Sequence, residues 1–137
     1  VYDMSLHYHH LPLLFYAPAQ IPAQERNELA LQIDIGPTVA GMLFSDPQNH
    51  SFGIDLQRQK RAYAFFSADN KIGVLSDSLF YRYRMDDRQE ALYRYRENDV
   101  QNLMTDYPDK ADSMRTYGFS MIQHAFQRLK INQTSCK

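Results

Sequence analysis

The chain has 137 residues, 44% of them hydrophobic and 23% charged, with a formal net charge of −1. That is enough for one domain with a core of its own, and the charge balance gives no overall attraction for nucleic acid or anionic lipid. The single cysteine, Cys136, excludes an internal disulfide, and no apolar run approaches the roughly 18–20 residues that a membrane span needs, so no direct membrane contact is expected.

Residues 1–10 hold Tyr2, His7, Tyr8, His9 and His10. On a strand His7 and His9 share a face and His10 points the other way. A metal site needs three or four converging ligands, and no pattern of Cys, Asp or Glu in this stretch adds them; none of these histidines is expected to bind metal without help from outside the chain. Leu13, Leu14, Phe15 and Tyr16 form a short apolar run stopped by Ala17-Pro18, which predicts a strand inside a sheet. Residues 19–28 are a polar loop. Ile33-Asp34-Ile35-Gly36-Pro37-Thr38 opens a helix, with Asp34 placed to cap its first turn and Pro37 tolerated there. Ile35, Val39, Met42 and Leu43 fall on one face, which predicts a core-facing stripe. The helix ends near Phe44, and residues 45–49 are a turn cluster. Ser51-Phe52-Gly53-Ile54-Asp55-Leu56 is a connection, followed by a solvent-facing run, Gln57-Arg58-Gln59-Lys60-Arg61.

From Arg61 the pattern becomes antiparallel β. Strands are expected over 62–66, 72–75, 79–84 and 91–95, with turns rich in Asp, Asn and Ser between them, as in a four-stranded meander. Tyr81 and Tyr83 alternate with Arg82 and Arg84, and Tyr93 and Tyr95 with Arg94 and Arg96. Interleaved arginine and tyrosine can stack single-stranded nucleic acid. Period-two geometry instead sends the tyrosines to a covering helix and the arginines to water, and no nucleic-acid partner is expected. A helix is predicted from Pro108 to about Lys130, with Met114, Gly118, Met121, Ile122, Ala125 and Leu129 in one stripe. The tail Asn132-Gln133-Thr134-Ser135 is polar.

Two stretches carry a resemblance. His10-Leu11-Pro12-Leu13-Leu14-Phe15-Tyr16-Ala17-Pro18, followed by Gln32-Ile33-Asp34-Ile35-Gly36-Pro37-Thr38, resembles the alkaline-phosphatase superfamily, in particular the sulfatases and the phosphoglycerol transferases of the lipoteichoic acid synthase type. Residues 91–103 with Tyr107-Pro108 look like the sulfatase tail, although Arg94 replaces the usual Asp and Asn98-Asp99-Val100 lacks the proline. The resemblance covers the C-terminal third or so of such an enzyme. It implies a fragment whose nucleophile and Asp-His metal pair lie upstream, in a partner part of the same protein. It implies a divalent metal (Zn, Mn, Mg or Ca) for the parent, with no cofactor in this segment, and a sulfate- or phosphate-ester substrate. A periplasmic or cell-surface location, with the parent anchored in the inner membrane, follows from the same likeness.

The resemblance places His10, and more weakly His9, at the pocket for the anionic group, where an imidazole can donate to its oxygens; a purely structural role at the strand start competes with this. No catalytic residue is expected in the chain itself: Thr38, next to Pro37 in a helix, has no adjacent base. The expected fold is α/β, α+β in its C-terminal part. Residues 1–60 form the end of a mixed alkaline-phosphatase-like sheet, and residues 61–137 a four-stranded antiparallel sheet packed against a long C-terminal helix. The competing reading is a stand-alone protein-interaction module without catalysis. A third is a metal-binding domain built on His7, His9 and His10.

Overall fold

The computed structural model describes residues 6–44 and 48–135. Residues 45–47 of the expected turn, and Cys136, lie outside that range. The centre is a four-stranded antiparallel meander in the order β1-β2-β3-β4, formed by β1 (Ala64–Ala68), β2 (Lys71–Leu75), β3 (Leu79–Arg84) and β4 (Glu90–Arg94). The β1–β2 turn places Asp69 and Asn70 at φ of 50° and 55°, between the paired residues Ala68 and Lys71. This is the left-handed geometry of a two-residue hairpin turn whose twist matches the strands, and Asp and Asn reach it more cheaply than other side chains.

Strand register fixes the faces. Val74 opposes Tyr81, and Tyr81 opposes Leu92. Directly opposed residues share a face, so Ile72, Val74, Leu79, Tyr81 and Leu92 form one apolar surface. Helix α2 (Pro108–Ser135) crosses it, and Ala111, Met114 and Leu103 complete the buried cluster. The helix approaches closely at Gly118: a methyl group there would stand 3.0 Å from Val74 Cγ2 and 3.2 Å from Ile72 Cγ2. The outer edge of β4 is tied off by Asn102-Leu103. Leu103 N donates to Leu92 O at 2.8 Å, and Leu92 N donates to Asn102 Oδ1 at 3.1 Å. Mixed α and β content, with a four-stranded sheet packed against the C-terminal helix, is the expected fold class.

Four details differ from expectation. The run 13–16 lies in no strand, and Leu14 and Tyr16 are 83% and 84% exposed. A strand is held by a neighbouring ladder, and β1 to β4 pair with one another instead. Helix α1 (Ile35–Leu43) forms as predicted, but its apolar stripe faces outward, with Ile35, Val39, Met42 and Leu43 exposed. Tyr81 and Tyr83 do face α2, yet Tyr93 lies on the opposite side of the sheet beside Phe80, and Arg82 is buried. That side is an aromatic layer rather than a solvent face: Phe66 stacks on Phe80 at 6.0 Å and His9 packs on Phe66 at 4.3 Å. Finally, α2 continues to Ser135, through the stretch expected to be a polar tail.

Met114 is fully buried between α2 and the sheet. Truncating it leaves a cavity lined by side chains held in register by three strands. Met114→Ala is therefore expected to lower stability by about 2–5 kcal/mol, read as a shift in the urea midpoint with the slope unchanged.

Candidate functional site

A dense polar constellation gathers residues between Leu31 and Arg61 and ties them to α2. A 3₁₀ turn, Gln32–Asp34, leads into α1. Asp34 has helical dihedrals, φ −81° and ψ −17°. A capping residue normally takes extended dihedrals, which aim its side chain at the helix N–H groups. In Asp34 the carboxylate turns away instead. It is fully buried and makes no cap to α1, contrary to the expectation from sequence.

Asp34 instead gathers four donors. Its Oδ2 accepts from Leu31 N at 2.8 Å and from Arg61 Nε at 2.8 Å. Its Oδ1 accepts from Ile54 N at 2.8 Å and from Arg61 Nη2. The Arg61 side chain is 6% exposed, so it does not belong to the solvent-facing run in which sequence reasoning placed it. Its remaining donors reach Phe52 O at 3.1 Å and Tyr117 Oη on α2 at 3.2 Å. Burial opposes the charge on Asp34. The Arg61 guanidinium and the Ile54 and Leu31 N–H groups outweigh that cost and hold the carboxyl below its usual value.

Thr38, one turn into α1, completes the arrangement. Its buried hydroxyl donates to Asp34 O at 2.6 Å and accepts from Leu56 N at 3.0 Å. A hydroxyl committed on both sides to backbone is a tie, not a nucleophile. Between these anchors Gly53 passes so close to the preceding turn that a Cβ would lie 1.9 Å from Ile33 O, which no side chain permits. Gly53 O in turn accepts from Asn49 Nδ2 at 2.7 Å.

Outside this node runs an open cleft of about 470 Å³ along α1, lined in part by Pro37, Ala40, His50, Ser51, Asp55 and Arg58. Its polar groups are turned to local structure. Asp55 Oδ1 accepts from Gln57 N at 2.8 Å, and Oδ2 pairs with Arg58 Nε at 3.3 Å. Ser51 Oγ donates to Asn49 Oδ1 at 2.8 Å and accepts from Gly53 N at 3.1 Å. This is the chemistry of a braced loop with an anion–cation pair at its rim.

The histidines singled out from sequence lie elsewhere. His7 and His9 sit in a short 3₁₀ turn, His7–His9. His9 packs on Phe66 and His10 is exposed just after the turn; neither lines the cleft. Among the described residues no group of three or more His, Cys, Asp or Glu side chains converges as metal ligands would. Sequence reasoning missed the pairing of Asp34 with Arg61. The available signal was an acidic residue set among Leu31, Ile33 and Ile35, where an ordinary helix cap has no need of so apolar a setting.

The chain matches no protein-family model, no curated protein and no solved structure.

Removing one member of the node strands the other. Asp34→Ala leaves a buried guanidinium and two orphaned N–H groups, and is expected to cost about 3–5 kcal/mol in urea unfolding. The same pair sets an acid limit. The unfolded chain binds the Asp34 proton near the ordinary value of about 3.9, the folded chain at a lower pH. Between the two the unfolded state holds more protons, so stability rises with pH. The contribution of Asp34 is full above the ordinary value and is lost as pH falls through the folded one. Urea midpoints measured from about pH 6 down to pH 2 should fall below about pH 4, and this Asp34-dependent slope should vanish in Asp34→Ala.

Proposed function

We propose that this chain is the C-terminal part of a metal-dependent sulfatase or phosphoglycerol transferase of the alkaline-phosphatase superfamily. The parent would act on sulfate or phosphate esters, and this segment would supply scaffold rather than chemistry. The paired stretches 10–18 and 32–38, in that order and at that gap, carry the reading. Two features support it. Within the second stretch, Asp34 and Thr38 both serve the fold, as a structural motif requires. The first stretch and the outer face of α1 each leave large apolar side chains uncovered, Leu11, Leu13, Leu14 and Tyr16 on one and Val39, Met42 and Leu43 on the other. A large exposed apolar patch marks a surface made to be covered, and the upstream catalytic part of the same protein would cover it.

On this reading His10 is the residue of this chain nearest to the chemistry, donating from the edge of that surface to an anionic ester oxygen. The metal that the family uses supplies charge stabilisation at the transferring group when bound. The described residues do not form a cradle for it, so its ligands would lie in the upstream part. A periplasmic or cell-surface location belongs to the same proposal. The exposed apolar surface equally favours a second reading, a non-catalytic module that docks a partner protein.

The complete gene product separates the two. Its intact mass and sequence, with an assay on 4-nitrophenyl sulfate and phosphate esters with and without chelator, are the measurements. A product extending well before Val1, with hydrolysis abolished by chelator, supports the enzyme. In that protein His10→Ala should lower kcat/KM by about ten- to a hundredfold, the worth of one charge-assisted hydrogen bond. Unchanged kinetics would remove His10 from the pocket. A product that begins near Val1 and hydrolyses neither ester would sink the enzyme reading in favour of the module.

A further inference from the structure

One edge of the sheet is closed and the other is bare. At β4, Asn102 and Leu103 take up the outer backbone groups of Leu92. Strand β1 has β2 on one side only, and the ladder shows which of its groups are left over. Asn70 O accepts from Met85 N at 2.8 Å. Asn70, Ile72 and Val74 therefore bond to β3, and the alternate residues Lys71, Gly73 and Leu75 bond to β1. Their partners Ala68, Phe66 and Ala64 are thereby occupied. The N–H and C=O groups of Phe65 and Ser67 point outward, and no described residue meets them.

Edge strands are ordinarily blunted by charges, by proline, by a bulge or by a covering loop. Residues 62–68 carry no charged side chain and no proline, and β1 pairs with β2 without a bulge. Its side chains also fold back from the edge. Phe66 lies over Gly73 on β2, where a Cβ would stand 2.6 Å from the Phe66 Cζ. Ser67 Oγ donates to Lys71 O at 3.0 Å. One residue before the strand, Tyr63 O accepts from Tyr117 Oη at 3.2 Å, so the bare stretch of backbone is short and its near end is fixed.

We propose that β1 pairs antiparallel with β1 of a second copy about a two-fold axis at Phe66, joining the two meanders into one continuous sheet. In this register Phe65 faces Ser67 of the second copy, and the left-over N–H and C=O groups of each strand meet those of the other. The two Phe66 residues oppose each other as a non-hydrogen-bonded pair. Their rings lean inward over Gly73 and leave the backbones free to approach. The same register brings Asp69 opposite Tyr63 of the second copy. Lys110 Nζ stands 5.9 Å from the centre of the Tyr63 ring. Neither Asp69 nor Lys110 has an ion-pair partner among the described residues of its own chain, and this register supplies one to each, twice by symmetry. That charge match favours a second copy over a strand of unrelated sequence. The inference does not depend on the enzymatic reading above.

Sedimentation equilibrium of the 137-residue chain tests it, over a concentration series reaching about 0.1 mM. A monomer–dimer equilibrium is expected, with the amides of Phe65 and Ser67 exchanging more slowly with solvent as concentration rises. Ser67→Pro is the decisive variant. The Ser67 N–H makes no bond within the hairpin, and proline is tolerated at such a position of an edge strand. The monomer should keep its fold, checked by circular dichroism, while the dimer dissociation constant rises about tenfold or more. Lys110→Glu sets a carboxylate against Asp69 and should raise that constant several-fold; adding Asp69→Asn, which keeps the left-handed turn, should recover part of the loss. Leu14→Ser with Tyr16→Ser, on the exposed apolar stretch, should change nothing. A chain that stays monomeric throughout the series would overturn the proposal. So would a dimer indifferent to Ser67→Pro, or one dissolved by Leu14→Ser with Tyr16→Ser. Should Ser67→Pro unfold, the exchange of the Phe65 and Ser67 amides in the unmodified chain decides instead, and exchange independent of concentration overturns the proposal.

Discussion

The buried pair of Asp34 and Arg61 is the interaction on which the arrangement of this chain depends. A buried ion pair is not stabilising by default, because desolvating two charges can cost more than their attraction returns. Its coordination decides the matter here. The carboxylate takes two backbone N–H groups as well as the guanidinium, and each of those N–H groups would cost about 1–3 kcal/mol if left buried without a partner. One side chain thus satisfies the turn before α1, the loop after it and the residue that opens the β region. Arg61 carries the connection onward to α2 through Tyr117.

The two parts joined at this node are held by different physics. Residues 61–137 have an apolar core of the ordinary kind, with Tyr81, Leu92, Val74 and Met114 shut away between sheet and helix. Among the described residues before Arg61, Leu11, Leu13, Leu14, Tyr16, Met42 and Leu43 are exposed, and the segment is organised by hydrogen bonds that converge on Asp34, Thr38 and Asn49. Directional polar contacts fix position sharply but return little net free energy each. The first part therefore draws its order from attachment to the second, and from whatever covers its apolar surface.

What sequence could convey divides along the same line. The meander was legible because its signals are local: period-two alternation, Asp-Asn at a tight turn, and Pro108 at a helix start. The stripe through Met114 and Gly118 was legible for the same reason. The face of α1 was not, because periodicity tells which residues share a side and not whether anything packs against that side. The alternation in β3 and β4 gave Tyr81 and Tyr83 correctly. It failed for Tyr93, whose face is set by pairing with Phe80, a register that depends on the length of the intervening turn. The Asp34–Arg61 pair was legible only at Asp34, whose apolar neighbours mark it, and not at its partner. Its partners are 27 residues apart, and nothing local distinguishes Arg61 from Arg58 or from Lys60, which does stay in solvent, 2.9 Å from Glu28.

This bears on how far the resemblance can carry function. Asp34, Thr38, Asn102 and Leu103 sit in the stretches that carry it, and each has a complete structural occupation: two brace the seam and two close the edge of β4. Such occupations are explained by the fold of this chain alone, and a fold hosts many chemistries. His10 is different. It is exposed and stands at the start of the uncovered apolar run rather than within a packed network. The backbone N–H of His10 closes the turn to His7 O at 3.4 Å, which any residue could supply in its place. Nothing in that bond calls for an imidazole, so the choice of side chain at position 10 is the point where scaffold and chemistry can be told apart.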